Sequence, residues 1–288
     1  MDTSQQLYES AATGWRRGLY DDVKRTFRAP VVNWIFRTAT ANDPEFTRYA
    51  WGQVKPVFET RGFARFSVQY RDAVLSALDV PAYRPSAVDL SPAEFAELRG
   101  QLATFDVVAP RLAVLFETMD RALHDDHEPT PPDERWATRP FPDWLDRDRG
   151  SPPSMVETPP DALDETLAAI RAFHGFDDDS LPSIYRCLAQ WPSFLDALWA
   201  DVEPLVESDA FETARRDTAD LTDAFVSSTP YRPRLAPDDL RGVGMDDDAI
   251  EGVQGLFRRF NTGPVETVLP ALPAFAATVD AAGERSLG

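Results

Sequence analysis

The chain has 288 residues, 43% apolar and 11% aromatic, enough for a real core in one large domain or two of ordinary size. Its net charge is −19, from 48 acidic and 29 basic residues, and lysine stands only at positions 24 and 55. So acidic a surface excludes nucleic acid as a partner: phosphate contacts need clusters of Lys and Arg, and here they come at most in pairs such as Arg16-Arg17, Arg215-Arg216 and Arg258-Arg259.

Self-repulsion of this size is screened at high salt, where the Debye length falls to about 3 Å at 1 M. The acidic, Lys-poor composition therefore reads as a protein of a salt-rich cytoplasm; an ordinary acidic protein from a GC-rich genome is the plainer alternative. No apolar run approaches the roughly 18 residues of a membrane span, so no membrane partner is expected. Residues 1–15 show neither a basic flank nor a hydrophobic run, so no signal peptide is expected and a cytoplasmic location follows. One cysteine, Cys187, rules out an intrachain disulfide and a Cys-cluster metal site.

In chain order, the segment from Pro30 to Arg37 leads into a short helix, and Asp43-Pro44 opens a longer one, since Pro suits the first helical position. Val68, Val74, Leu75 and Leu78 give an apolar face to a helix around 63–79. Ser91-Pro92-Ala93-Glu94 is a capping box that starts another. His124-Asp125-Asp126-His127 hints at a metal but opens a Pro-rich stretch and reads as a surface loop. Residues 125–160 hold nine of the 25 prolines and cannot form a continuous helix. They also carry Trp136, Phe141 and Trp144, which predicts an extended strap with its aromatics pinned to the helical body. Leu163, Leu167, Ile170 and Phe173 then recur at helical spacing, and Trp191-Pro192 opens a second long helix.

Two stretches match without a gap. Pro44, Phe46, Trp51, Val54 and Pro56 answer to Pro192, Phe194, Trp199, Val202 and Pro204, 148 positions on. Upstream, Ile35-Phe36-Arg37 answers to Ile184-Tyr185-Arg186. Two copies are too few for a solenoid. The expected fold is all-α: two tandem helical repeats, 7–124 and 161–282, joined by the strap 125–160. They would form a pseudo-dimer with a ligand groove between them.

Familiar signatures are missing: there is no GxGxxG, no phosphate loop, no HExxH and no CxxC. The segment 181–199, the segment from Pro30 to Arg37 and the phrase from Pro44 to Pro56 carry the most specific text. Through them the chain resembles, over nearly its whole length, the DehI family, the group I (DL-type) 2-haloacid dehalogenases. The resemblance implies hydrolysis of short 2-halocarboxylic acids to 2-hydroxy acids, without a cofactor or metal. It implies a buried aspartate as general base on a water that displaces halide from C2 directly, with inversion, in a pocket between the repeats. It places that base directly before the tyrosine of the second repeat, where this chain reads Ser183-Ile184-Tyr185. A second family position, an Asn before a Pro on a long helix of repeat one, is Ala109 before Pro110. Isoleucine cannot accept a proton, so no catalytic residue is assigned.

Possible substitutes each have a plainer reading. Asp177, Asp178 and Asp179 read as an acidic surface loop, His174 as a helix-end or surface histidine, Cys187 as a small buried hydrophobe, and Asp196 as a solvated position. Ligand contacts are expected from Asn33, Trp34, Arg37, Ala109, Ser183, Ile184, Tyr185, Arg186, Phe260 and Asn261. The repeat-equivalent Arg37 and Arg186 suit a carboxylate clamp or, more plainly, surface ion pairs. Asn261 either faces the pocket or caps a helix. Trp51 and Trp199 serve the core of each repeat. Two functions follow: a dehalogenase-like hydrolase with an altered base, or a protein that binds a small organic acid or other small ligand on the same scaffold. A homodimer is a further expectation.

Overall fold

The computed structural model describes residues 1–126, 142, 144–176, 181–230, 232–263 and 265–287. Trp136, Phe141, His127 and Asp177–Asp179 lie outside the described residues. Within them the chain is all-α and contains no strand. The helices are α1 (Gly14–Phe27), α2 (Trp34–Asn42), α3 (Pro44–Phe58), α4 (Arg61–Ala77), α5 (Pro92–Leu123), α6 (Asp164–His174), α7 (Ser183–Leu188), α8 (Pro192–Val206), α9 (Asp209–Ser227), α10 (Pro237–Gly242), α11 (Asp247–Asn261) and α12 (Val265–Ala277).

The signals in the sequence act where expected. Asp43 caps α3 by accepting from Phe46 N–H at 2.9 Å, and Pro44 takes the first helical position. At the start of α5, Glu94 accepts from Ser91 N–H at 2.8 Å and Ser91 Oγ from Glu94 N–H at 3.3 Å, a complete capping box. α3 and α8 each run 15 residues from a proline and keep a second proline, Pro56 or Pro204, inside.

The correspondence reaches residues the repeat text did not include. Thr60 Oγ1 accepts from Phe63 N–H at 3.1 Å ahead of α4, and Ser208 Oγ accepts from Phe211 N–H at 3.3 Å ahead of α9. Leu7 N–H donates to Arg37 O at 3.1 Å, and Val156 N–H donates to Arg186 O at 3.2 Å.

By contacts the chain gathers into two compact units, each drawing on both sequence repeats. Unit one is Met1–Ser67, Arg111–Arg147 and Leu221–Thr262; unit two is Val68–Pro110, Asp148–Asp220 and Gly263–Gly288. In unit one, Phe27 meets Phe36, Trp51 and Phe58 edge-on, with centroids 5.0–5.8 Å apart. Trp51 is buried but keeps a polar handle, donating Nε1–H to Asp22 Oδ2 at 2.9 Å. Arg111 lies fully buried over Phe63, 5.5 Å from the ring centroid, and donates to Asp146 Oδ2 at 2.9 Å.

In unit two the fully buried Asp106 collects three donors. Arg71 Nε is 3.0 Å from Oδ2, and Arg149 Nη1 and Gly283 N–H reach that oxygen at 2.9 and 3.0 Å. A Cβ at Gly283 would run into the guanidinium groups of Arg149 and Arg71, so this approach needs glycine.

Among its described residues the strap is held by buried charge and backbone hydrogen bonds. Leu145 and Asp146 are fully buried, and Arg28 donates to Pro142 O at 2.7 Å and Leu145 O at 2.6 Å. Trp144, expected to be pinned, is 48% exposed. The buried ion pair at the adjoining residues anchors this stretch without help from the indole.

Candidate functional site

The residues singled out from the sequence divide equally between the units. Unit two holds Ala109, Ser183, Ile184, Tyr185 and Arg186; unit one holds Asn33, Trp34, Arg37, Phe260 and Asn261.

In unit two, Pro182 precedes α7 and starts it without a side-chain cap. Ser183 is half-buried, and its hydroxyl meets no partner among the described residues. Ile184 is 2% exposed, and Ala109, inside α5 just before Pro110, is fully buried. Both positions are therefore apolar and closed to bulk water. Arg186 donates Nε–H to Val156 O at 3.1 Å, so part of its guanidinium holds the chain end of the strap.

Tyr185 is fully buried among Trp199, Phe275 and His174, with centroids 5.4–6.0 Å away. Its hydroxyl lies 2.5 Å from His174 Nε2, and His174 Nδ1 lies 2.6 Å from Thr267 Oγ1. His174 is thus an interior group satisfied on both nitrogens, not a surface residue at a helix end. Burial pushes its pKa down to about 4 and pushes the Tyr185 hydroxyl well above its usual range. A histidine so depressed is a poor proton acceptor near neutrality. Cys187 is fully buried, its thiol 2.9 Å from Gln101 Oε1, and burial raises its pKa to about 12. That is an inert thiol, as read from the sequence. Asp196 is exposed and accepts from Thr166 Oγ1 at 2.6 Å.

The His174 arrangement has a pH signature. Its folded pKa lies below the ordinary value of 6.5, so the unfolded chain takes up the proton first as pH falls. The stability it contributes is full above about pH 6.5 and drains away toward pH 4, about 3 kcal/mol in all. Urea midpoints followed through that window are expected to fall in the wild type. The fall should be smaller in His174→Gln; equal slopes would show that the imidazole is not the group titrating.

In unit one, Asn33 is the N-cap residue of α2 but makes no side-chain cap bond. Trp34 stacks on Phe260, centroids 4.7 Å apart, and Phe260 leans on Phe116 at 5.4 Å. Asn261 neither caps α11 nor stands free. Its amide donates to Glu117 Oε2 at 2.8 Å and Asp120 Oδ2 at 3.1 Å, tying α11 to α5. The Arg37 guanidinium lies over Tyr8, 5.1 Å from the ring centroid. The structure therefore unites Trp34, Phe260 and Asn261, and Ile184 with its helix neighbours. Among the described residues no group of three or more His, Cys, Asp and Glu side chains could hold a metal. Nor, among the described residues, is any helix long and apolar enough to cross a membrane.

Sequence reasoning missed Gln101, which gathers Cys187, Ser154 N–H at 3.0 Å and Gln190 Nε2 at 3.1 Å around one amide oxygen. Its signal is a polar residue beside the fully buried Leu98 and Leu102 on α5.

Comparison with known proteins gives one family. The family model described as halocarboxylic acid dehydrogenase DehI matches residues 30–157, a segment that ends before Ser183. The chain is 24% identical to an (R)-2-haloacid dehalogenase of Pseudomonas putida, over 87% of this chain and 85% of that one. It is 23% identical to a configuration-inverting 2-haloacid dehalogenase of Pseudomonas sp. (strain 113), over 96% and 92%. A solved complex of a D-2-haloacid dehalogenase mutant with D-2-CPA superposes with a TM-score of 0.78 at 20% identity, covering 95% of this chain and 94% of that one. A complex of a D-2-haloacid dehalogenase with L-LA gives 0.77 at 20% identity, covering 95% of each. These structures share the fold.

Proposed function

We propose that this chain, whose residues 30–157 match the DehI family model, works as a 2-haloacid dehalogenase-like hydrolase on short 2-halocarboxylic acids. The observation that carries this reading is the similarity to dehalogenases along 87% and 96% of its length. The buried apolar positions Ala109 and Ile184 suit a halide and the carbon chain that bears it. They offer no carboxylate to a water. A water positioned beside the bound acid then attacks C2 without a protein base, the halide leaves with the bonding pair, the proton passes to further water, and the displacement is slow. Removal of a general base costs about 10²–10⁴-fold in rate.

The test is chloride release from each enantiomer of 2-chloropropionate in roughly 1 M KCl, where charge repulsion is screened, with the substrate chloride isotopically labelled. Slow release above the uncatalysed rate is expected. Absence of both release and binding would overturn the proposal. Binding without release would establish the second reading, a carboxylate-binding protein on the same scaffold, which the isoleucine at 184 favours.

A further inference from the structure

Unit one carries a cleft of about 430 Å³ along α11, lined by none of the residues expected from the sequence to contact ligand. Its walls are His124, Gln254, Arg258 and Arg259, with Glu251, Gly252, Gly255 and Met1, whose amino group adds a further cation beside Gly252. In a chain of net charge −19, so many unspent donors in one place call for a physical account.

Arg258 donates Nε–H to Asp120 Oδ1 at 2.9 Å, which fixes the guanidinium plane, and neither Nη group has a partner among the described residues. Among the described residues Arg259 spends only Nε, on Gly255 O at 3.3 Å. His124 Nδ1 lies 2.9 Å from Asp120 O and 3.0 Å from Asp120 Oδ1. A backbone carbonyl and a carboxylate only accept, so Nδ1 carries a proton, and the tautomer this selects has its lone pair at Nε2. That nitrogen, too, meets no partner among the described residues. The cleft therefore offers two guanidinium ends that donate and one imidazole nitrogen that accepts.

This set matches one ligand chemistry. A carboxylate pairs with guanidinium groups through charge-assisted bonds. A hydroxyl on the neighbouring carbon can donate to the imidazole nitrogen, which an unsubstituted acid cannot do. The Glu251 carboxylate in the wall repels a second acid group and selects monoanions. We propose that this cleft is a binding site for a short 2-hydroxy monocarboxylate. Such compounds are the class that hydrolytic dehalogenation of a 2-haloacid yields, so the cleft would sense product. The binding itself does not depend on turnover.

The full chain, labelled for NMR of its arginine and histidine side chains, is titrated with lactate and with propionate. Lactate is expected to shift the His124 and Arg259 signals. Propionate should bind about tenfold more weakly, the worth of one hydrogen bond to a half-buried acceptor. Arg259→Ala should weaken lactate about tenfold, and His124→Phe should erase the preference for lactate. Gly255→Leu should abolish binding while the fold survives, because a Cβ at Gly255 meets nothing within 4 Å and leucine favours a helix. Cleft signals that lactate leaves unmoved, or binding undiminished in both Gly255→Leu and Arg259→Ala, would overturn the assignment. Failure of chloride release would not touch it.

Discussion

Replacing Asp106 by alanine is expected to destabilise the protein by about 3–5 kcal/mol, the usual cost of stripping one partner from a buried ion pair. The carboxylate is fully buried and faces Arg71, Arg149 and the amide of Gly283. Without it the Arg71 guanidinium, itself fully buried, loses a counter-charge 3.0 Å away inside unit two. The strap at Arg149 and the tail at Gly283 lose a shared anchor together. Urea unfolding measures the loss. Asp106→Ala combined with Arg71→Leu should recover part of it, because an apolar pair tolerates burial better than an orphaned charge. A single variant that costs less than about 1 kcal/mol, the range of an exposed pair, would show that the network is solvated.

The second large effect concerns rate. Ile184→Asp together with Ala109→Asn is expected to raise chloride release by about 10²–10⁴-fold over the wild type, the contribution of a positioned general base. A carboxylate at a site 2% exposed is desolvated, which raises its pKa and moves it toward the working range of a base. The same burial costs stability, so the variant should unfold at lower urea than the wild type. A folded double variant that releases chloride no faster than the parent would sink the register by which position 184 is compared with the family's aspartate.

The helix starts were legible because their signals are local: Pro44, Pro192 and the box from Ser91 to Glu94 act within one turn. The matching phrases stand out in the sequence because uncommon residues recur at one offset. Buried charge was not. Asp106 and Arg111 are the only charged residues between Gly100 and Phe116, an apolar helical run. That is a visible anomaly, yet their partners Arg149 and Asp146 lie some 35–43 positions away in a Pro-rich stretch that announces no pairing. His174 was misjudged for a related reason. A histidine at the end of a helix usually meets water, and nothing nearby in sequence reveals that Thr267 closes its second nitrogen. Trp144 failed in the opposite sense: its bulk suggested burial, while the neighbouring Asp146 took the interior place.

The chain enters each compact unit three times, and α4, α5 and α9 each begin in one unit and finish in the other. Neither unit is a contiguous stretch, so no single cut can release one of them whole. On the ribosome, unit one cannot be completed before residue 262 is made, nor unit two before the segment after it. Contacts between such distant stretches slow folding, because loop-closure entropy is spent before they form. A growing chain must therefore hold unfinished apolar helices apart for most of its synthesis. Its abundant negative charge serves that interval as well as the native state, since like-charged nascent chains repel one another before either core is closed.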